Sequence, residues 1–537
     1  MRSRYGQGVA PRSKRFAAFA SNRVLHMQLL FGLAVLTLWE ILALTVFAHR
    51  FVLPTPTSIV ATGWQDHFYG SDVLSTLGEA GLGWLLGNTL ALVLAITTLA
   101  SRRMENILVS FGVMTYAVPT VAIGPILFIV QSPFAAKVTM SALSVFFVTL
   151  VAGVAGLRAA SRTSLEMVAA FGGTKWTALR RVRLRAGLPS VAAGLCISAP
   201  AAILGAMIGD YFGGQSGLGV VMLQAQQQLA VSRTWAIAAV TTVISGAAYA
   251  ATLWLTRRFG AGTSVTTDTA HSTVSPEKPN AVRRLASLGR VLGGIAIAIG
   301  VWAIAVRESG LGGYFLKTPL AVWDYLFASA QSAQNRQAIL SSLATTLLHA
   351  GTGWVLGTLL AIVGAVVLVL SPAATRAVMP LVLVVRSVPL VAMTPLLALL
   401  FGRGLLGITM IAALVTVVPS LVTISDGLAS APTPALDLIR SIGGSPLKAL
   451  TRVRAMYGAP AIFTAAKISM PGAILGAVLA EWLVSGSGVG HAMALDVVGS
   501  NFSNLWASIA MVVAVSLALY FSISFLERAL RSKLAIS

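Results

Sequence analysis

The sequence predicts an all-α polytopic membrane protein of about twelve transmembrane helices, arranged as two parallel six-helix repeats. Of the 537 residues, 56% are apolar or aromatic and 10% are charged, whereas soluble globular chains carry about 25% charged residues. Apolar segments of about 20 residues, the length that crosses a bilayer as a helix, recur along the chain. Motifs of the first half also return in the same order in the second half. Together these observations argue against a soluble enzyme.

Twelve segments are predicted to cross the membrane. In the first half they lie near 25–47, 74–100, 107–131, 138–157, 189–212 and 234–256. In the second half they lie near 291–306, 340–370, 377–402, 404–424, 460–484 and 505–526. The predicted domains are a basic tail (1–24), a first repeat (25–256), a polar linker (257–290), a second repeat (291–526) and a C-terminal tail (527–537).

The net charge of +22 is explained by where the lysines and arginines lie relative to these spans. Twenty-nine of the 38 basic residues fall on the side of the N-terminus, and seven, Lys137 among them, fall on the opposite side. Because basic loops stay in the cytoplasm, both termini and the linker are predicted to be cytoplasmic. The topology of the chain in the lipid bilayer therefore explains its basic charge, and no nucleic-acid partner is expected. The single cysteine, Cys196, excludes an intrachain disulfide or a Cys-based metal site.

Four motifs recur at a nearly constant offset along the chain. GLGWLLG at 81–87 returns as GTGWVLG at 351–357, and VPTVAIGP at 118–125 returns as VPLVAMTP at 388–395. FGG at 171–173 returns as IGG at 442–444, and GLG at 217–219 returns as GVG at 488–490, with the offset larger by one. Residues related by these offsets occupy equivalent positions. Since six spans separate the matched motifs, the repeats have the same orientation and are related by an axis along the membrane normal.

Glycines and prolines in these motifs have different expected roles. The glycine pairs spaced by four in 81–87 and 351–357 predict close helix packing. The proline pairs break the helical hydrogen-bond ladder and predict a kinked helix that lines a pathway, with a purely structural kink as the alternative. These prolines are Pro119, Pro125, Pro389 and Pro395.

The segments 158–188 and 425–459 predict a helix–turn–helix on the cytoplasmic side of each repeat. The Gly-Gly pair allows a sharp reversal, and Thr174 or Ser445 can cap a new short helix, with Pro446 at its first position. Such a helix suits a groove on another protein; a basic loop on the membrane surface is the alternative. The candidate contact residues are Glu166, Gly172, Gly173 and Trp176, and Asp437, Gly443, Gly444 and Leu447.

These residues resemble the membrane-spanning permease of bacterial ABC importers of the nitrate/sulfonate/taurine class. That family carries a Glu-Ala-Ala-x-x-x-Gly motif with a Leu-Pro seventeen residues after its glycine. The first copy matches at Glu166, Gly172 and Pro189, and the second, with Asp for Glu, matches at Asp437, Gly443 and Pro460.

The chain departs from the family at several positions. The second alanine of the motif is replaced by Val168 and Ile439, and the inner proline by Arg185 and Met456. The family usually has one permease half per chain and works as a dimer, whereas two halves are fused here.

The resemblance implies ATP-driven import of a small solute across the bacterial plasma membrane, with nitrate, a sulfonate, taurine or a vitamin precursor as candidates. No lysine follows a glycine, so the chain lacks a P-loop. The resemblance implies that two separate ATPase subunits bind ATP and Mg and that an extracytoplasmic binding protein delivers the solute. The chain itself is then a transport subunit, not an enzyme, and needs no cofactor.

Two other classes remain open from the sequence. A secondary, ion-coupled transporter with two six-helix halves would need carboxylates inside the membrane, and Glu40, Glu79, Asp210 and Glu481 are available. A non-transporting membrane scaffold is the other alternative.

The second half is predicted to supply the cationic part of the pathway. Arg386 and Lys467 lie within predicted spans, where ionisable groups are costly and often functional. Their equivalents in the first half, Tyr116 and Cys196, are uncharged, whereas Asp210 and Glu481, also candidate pathway residues, place an acid in both halves. For Lys467 the alternative is a side chain that reaches the cytoplasmic interface.

Overall fold

The computed structural model describes residues 30–47, 53–66, 69–99, 108, 112, 120–258, 281–310, 312–387 and 394–534. These residues form helices and no β-strand; Gly312 and Leu316 make an isolated bridge. The predicted all-α class is therefore confirmed.

The first repeat contains ten helices within the described residues. They are α1 (Leu30–Thr45), α2 (Pro56–Gln65), α3 (Gly70–Thr97), α4 (Thr120–Val130), α5 (Pro133–Arg158), α6 (Arg162–Ala170), α7 (Lys175–Ala178), α8 (Leu184–Asp210), α9 (Leu218–Gln227) and α10 (Val231–Arg258). A π-helical turn, Leu179–Arg183, joins α7 to α8.

The second repeat continues with eleven helices in the described residues. They are α11 (Ala281–Glu308), α12 (Pro319–Trp323), α13 (Ser332–Leu370), α14 (Pro372–Ser387), α15 (Thr394–Phe401), α16 (Leu405–Ala429), α17 (Thr433–Ser441), α18 (Pro446–Ala449), α19 (Ala455–Val484), α20 (Val489–Val498) and α21 (Phe502–Leu534). A π-helical turn, Leu450–Arg454, joins α18 to α19, as in the first repeat.

Eight helical segments of the described residues are long and apolar enough to cross a membrane. They are α3, α5, the run Lys175–Asp210, α10, α13, α16, the run Pro446–Val484 and the segment Phe502–Glu527 of α21, and each overlaps a predicted span. The other four predicted spans overlap α1, α4, α11 and the pair α14 and α15. Part of 107–131 and of 377–402 lies outside the described residues.

Two helices extend beyond the predicted span boundaries. Helix α11 begins at Ala281, within the predicted linker, and α21 continues to Leu534, within the predicted tail. Both extensions carry arginines, which are good helix formers and allow a helix to run beyond its apolar segment, before it in α11 and after it in α21. Residues 259–280 of the linker and the basic tail 1–24 lie outside the described residues.

Local sequence accounts for where the helices begin and how they tolerate proline. Ser132 accepts a hydrogen bond from the Ala135 amide, and Pro133 occupies the first position of α5, the arrangement expected at a helix N-terminus. Helices α8 and α19 each contain two prolines, which neighbouring helices make tolerable in membrane proteins.

The core of each repeat is a three-helix packing of α3, α5 and α8, or of α13, α16 and α19. Gly83 lies so close to α5 that an added Cβ would be 2.4 Å from the Ser141 Cβ. At the equivalent Gly353, an added Cβ would be 2.7 Å from the Thr409 carbonyl oxygen of α16. The glycine pairs therefore serve close helix packing, as predicted.

We expect Gly83→Val and Gly353→Val to lower the free energy of unfolding by about 1–3 kcal/mol, because each new side chain overpacks a helix contact. Thermal unfolding of the detergent-solubilised protein measures the effect. Gly81→Val and Gly351→Val are matched controls, since no atom lies within 4 Å of a Cβ at either position. An equal loss of stability in the controls would contradict the packing role.

Candidate coupling loops and buried polar networks

The first candidate coupling loop, residues 158–188, is a helix, a tight glycine turn and a second short helix. Helix α6 ends in a turn in which Gly173 N donates to the Val168 carbonyl at 2.8 Å. Gly172 has a φ of +70°, in the left-handed region that favours glycine. Thr174 then caps α7 by accepting a hydrogen bond from the Thr177 amide at 3.3 Å. The predicted helix–turn–helix is present.

The second candidate coupling loop, residues 425–459, repeats this geometry. Gly444 N donates to the Ile439 carbonyl at 2.8 Å, and Gly443 has a φ of +73°. Ser445 caps α18 by accepting a hydrogen bond from the Lys448 amide at 3.3 Å. The two loops therefore have the same fold despite different side chains, because glycine and a capping hydroxyl stand at the same positions.

Each loop is held to the helix that precedes it by an arginine for which the sequence predicts only a contribution to the basic charge. Arg183 Nη1 donates to the Leu157 carbonyl at 3.1 Å, and Arg454 Nη1 donates to the Leu428 carbonyl at 3.2 Å. The two arginines are equivalent, and so are the two leucines. This equivalence is the signal that could have separated the two arginines from the other basic residues of the loops.

Apolar side chains are exposed on both loops. Trp176 is 68% exposed and Leu447 is 59% exposed. Phe171 and Ile442, at the start of the two turns, are also exposed. This row of apolar side chains outside the helical core is an unusual surface unless a partner covers it.

The acidic residues of the motif lie on the same exposed surface. Glu166 pairs with Arg162 at 3.2 Å, and Asp437 pairs with Arg440 at 3.1 Å. All four side chains are more than half exposed. Exposed pairs of this kind contribute at most about 1 kcal/mol to stability, so these acids are available for contact with a partner.

A buried ionic network lies in the first repeat, at the far end of α8 from the coupling loop. Lys137 Nζ of α5 lies 2.9 Å from Glu79 Oε1 of α3 and 2.7 Å from Asp210 Oδ1 of α8. It also donates to the Ser216 carbonyl at 2.6 Å. All three charged side chains are almost completely buried. The network therefore ties three helices and the following loop together.

Asp210 also holds the beginning of α9. Its Oδ2 accepts a hydrogen bond from the Gly219 amide at 2.9 Å, and Thr76 Oγ1 accepts one from the Leu218 amide at 2.9 Å. Gly217 has a φ of +123°, and a Cβ there would lie 2.5 Å from Asp210 Oδ2. This close approach is the physical reason for the glycine that precedes α9.

The second repeat has the same cap with different partners. Glu481 Oε2 accepts from the Gly490 amide at 3.0 Å and from Thr346 Oγ1 at 2.7 Å, and Thr346 Oγ1 accepts from the Val489 amide at 2.8 Å. His349 Nδ1 lies 2.8 Å from Glu481 Oε1. His349 occupies the position of Glu79, so the lysine-centred network of the first repeat is replaced here by a histidine–carboxylate pair.

The residues predicted to line a pathway differ in their burial and in their bonding partners. Asp210 and Glu481 are sealed from solvent and bonded to backbone amides. Lys467 Nζ pairs with Glu527 Oε2 of α21 at 2.8 Å and lies over the Tyr520 ring. Pro125 is buried within α4.

The side chains of the remaining predicted pathway residues lie outside the described part of the chain. Pro119 and Pro389 lie outside the described residues, as does Tyr116. Arg386 belongs to α14 and Pro395 to α15, and their side chains are outside the described part of the chain.

Sequence patterns do not bring Thr76, Glu79 and Lys137 together as one site, nor Thr346 and His349 as their counterparts. Lys137 begins an apolar segment, so its position predicts only an outer basic residue. The offset of the first two motifs makes Thr76 equivalent to Thr346 and Glu79 equivalent to His349, and it would have drawn attention to both pairs.

Among the described residues, no group of three or more His, Cys, Asp or Glu side chains could hold a metal ion. The arrangement instead provides two exposed loops of the same backbone geometry and two buried helix caps. Such a fold, with eight helical segments in its described part that are long and apolar enough to cross a membrane and with an internal duplication, defines a polytopic membrane protein.

The chain belongs to the family described as binding-protein-dependent transport system inner membrane component, which matches residues 87–264 and again 353–536. Members of this family are permeases of ABC transporters, which function with an ATPase and a substrate-binding protein and carry no cofactor of their own. The chain is therefore a membrane transport subunit and not an enzyme. This membership decides against the secondary transporter and the scaffold.

Several named proteins are similar to this chain. A probable ABC transporter permease protein of Haemophilus influenzae is 28% identical over 232 residues, which are 43% of this chain and 92% of that protein. The putative aliphatic sulfonates transport permease SsuC of Bacillus subtilis is 30% identical over 206 residues, 37% of this chain and 74% of its own length. The formylaminopyrimidine transport permease ThiX of Halalkalibacterium halodurans is 28% identical over 194 residues, which are 35% of this chain and 77% of that protein.

We expect Lys137→Met to lower the free energy of unfolding by about 3–5 kcal/mol, because it leaves Glu79 and Asp210 buried without a cation. Unfolding of the detergent-solubilised protein measures the loss. Arg162→Met is the control, since its ion pair is exposed and its loss costs at most about 1 kcal/mol. Adding Glu79→Gln and Asp210→Asn to Lys137→Met removes the unpaired charges and is expected to restore part of the stability. Equal losses for Lys137→Met and Arg162→Met would refute the network.

Proposed function

We propose that this chain supplies both permease halves of an ABC importer and that its two coupling loops dock two ATPase subunits. The observation that carries the proposal is the presence, in one chain, of two exposed loops with the same backbone geometry at equivalent positions of the two repeats. One loop in each half matches the arrangement expected when two ATPase subunits engage one permease.

The surface of the loops supports docking. The short helices α7 and α18 expose Trp176 and Leu447 to solvent, and a short amphipathic helix of this kind fits an apolar groove on a partner. Arg180 and Arg181 follow Trp176, so the groove is expected to have an acidic rim. The glycine turns and the arginine anchors hold each short helix in a fixed position.

The charge distribution supports a cytoplasmic location for these loops in the bacterial plasma membrane. The loops carry eleven of the 38 basic residues, and basic loops remain on the cytoplasmic side. Both termini are then cytoplasmic as well. The ends of α8 and α19 that carry Asp210 and Glu481 face the opposite side, where an extracytoplasmic binding protein delivers its solute.

The names of the relatives support a small solute as the substrate. They include permeases for aliphatic sulfonates, formylaminopyrimidine and riboflavin, and all of these are organic molecules. We therefore favour a small organic solute over nitrate. Arg386 stays a candidate contact for an anionic group such as a sulfonate.

The predicted pathway residues keep distinct proposed roles. Asp210 and Glu481 act on the pathway by holding the residues that follow them, since their own carboxylates are sealed by hydrogen bonds. Lys467 is held by Glu527 and serves as a helix anchor. Pro119, Pro125, Pro389 and Pro395 remain predicted to kink helices beside the pathway, and Pro119 and Pro389 lie outside the described residues.

We expect Gly172→Val and Gly443→Val to weaken binding of the ATPase subunit about tenfold each. A β-branched residue in the left-handed region is strained by about 1–2 kcal/mol, and about 1.4 kcal/mol corresponds to a tenfold change in affinity. Binding of the purified ATPase to the permease in detergent measures the effect. Gly172→Asn and Gly443→Asn are the controls, because asparagine tolerates this backbone conformation. Unchanged binding of both valine variants would remove the docking assignment.

The proposed orientation is tested with single cysteines in a Cys196→Ala background. Ser441 lies at the end of α17 and Ser487 precedes α20, so α19 separates them, and both are exposed. In intact cells a membrane-impermeant thiol reagent should label Ser487→Cys and should label Ser441→Cys only after the membrane is opened. The reverse pattern, or labelling of both in intact cells, would overturn the orientation.

A further inference from the structure

We infer that an apolar constriction between the two repeats, formed by Ile208, Phe212, Leu479 and Trp482, closes the translocation pathway at the end away from the coupling loops. This inference rests on the proposed permease function and adds the location of the pathway and of its barrier. None of these four residues belongs to the family motif.

The constriction is a cluster in which side chains of both repeats meet. Ile208 of α8 is 3% exposed and Leu479 of α19 is 0% exposed. These two residues are equivalent in the two repeats, and they share one cluster with Met140 of α5. Leu204 and Leu475, also equivalent, pack against the same cluster. A cluster built from equivalent residues of two parallel repeats lies on the axis that relates them.

An aromatic pair adjoins the buried part of the cluster. The rings of Phe212 and Trp482 are 5.5 Å apart and make an edge-to-face contact across the two repeats. Helix α4 approaches the Phe212 ring so closely that a Cβ on Gly124 would lie 2.4 Å from a ring carbon. Phe212 therefore sits between α4 of its own repeat and Trp482 of the other.

The facing surfaces of α8 and α19 are more open toward the coupling loops. Ile468, Leu475 and Leu479 are spaced by seven and four residues, which places them on one face of α19. Along this face the exposure falls from 38% at Ile468, through a half-buried Leu475, to 0% at Leu479. Ile197, Leu204 and Ile208 have the same spacing on α8, and only Ile208 is buried. Burial on both faces is thus greatest at Ile208 and Leu479, as expected for a pathway that closes there and widens toward the coupling loops.

The buried helix caps fix the position of this constriction. Asp210 lies two residues before Phe212, and Glu481 lies immediately before Trp482. Their bonds to the Gly219 and Gly490 amides hold the ends of α8 and α19 against α9 and α20. The barrier can open only if one of these capped ends moves relative to the other repeat.

A constriction of this composition stops ions without any charged group. Its aliphatic side chains offer no hydrogen-bond partner to water, so water leaves the narrow region and a hydrated ion would have to lose its shell to pass. Polar side chains of similar size in place of the aliphatic ones should therefore admit water and allow ions to leak.

The test uses the full chain alone in vesicles of phosphatidylcholine and phosphatidylglycerol. Entry of iodide is followed by quenching of a fluorophore enclosed in the vesicles, without ATP, ATPase or binding protein. We expect the Ile208→Asn, Leu479→Asn double variant to admit iodide at least tenfold faster than the wild type.

The matched control is the Ile203→Asn, Ile474→Asn double variant. These two isoleucines are also equivalent to each other and equally buried, at 2% exposure, on the same helices. They belong to two separate clusters and not to the one that contains Ile208 and Leu479. The control is expected to match the wild type. Equal leaks from the two double variants would overturn the proposal.

A milder pair, Ile208→Thr with Leu479→Thr, keeps the test decisive if the asparagine variant does not elute as a folded protein. A leak above that of Ile203→Thr with Ile474→Thr supports the constriction, and a folded threonine variant as tight as the wild type refutes it. Because no ATPase is present, the absence of a leak would contradict the constriction and not the coupling-loop proposal. Unchanged ATPase binding by the Gly172→Val and Gly443→Val variants would contradict the coupling-loop proposal and not the constriction.

Discussion

The structure depends on a buried carboxylate at the end of one long helix that bonds to the first amides of the next short helix. Asp210 and Glu481 do this in the two repeats, through Gly219 and Gly490. A buried carboxylate is costly unless its oxygens are paired, and the amides at a helix N-terminus are donors without partners inside their own helix. Each group supplies what the other lacks. The glycine before each short helix is required because a Cβ at Gly217 or Gly488 would overlap the carboxylate.

The two repeats meet this requirement with different chemistry. In the first, Lys137 neutralises both Asp210 and Glu79, so the site is ionic. In the second, Glu481 is bonded to Thr346 and His349, and Gly407 stands near the position of Lys137. The backbone of the cap is the same in both repeats, and its partners are not. The geometry of the cap thus comes from the glycine and the carboxylate, whereas the neighbouring side chains determine how its charge is balanced.

Sequence patterns predicted the elements that depend on short-range chemistry. The apolar segments predicted the long helices, and the glycine turn followed by Thr174 or Ser445 predicted the coupling loops, because φ and capping are set within a few residues. The patterns could not predict the Lys137 network, since its three members lie on helices far apart in sequence. They also could not predict that Asp210 is sealed from solvent, because apolar sequence alone does not distinguish a face toward a pathway from a face toward a neighbouring helix. The offset between the repeats is the one sequence signal that would have linked Thr76 with Thr346 and Glu79 with His349.

The presence of both repeats in one polypeptide affects how the protein can change. In a transporter assembled from two copies of one gene product, every substitution appears on both sides of the axis at once. Here a substitution alters one side only. Trp176 and Leu447 illustrate this, because they occupy equivalent positions in the two repeats and are different residues. A mutation that would be harmful in duplicate can persist as a single copy, and each side can adapt to its own neighbour. Fusion of the halves in one chain thereby lets each half accumulate its own substitutions. It also keeps the two halves in equal number.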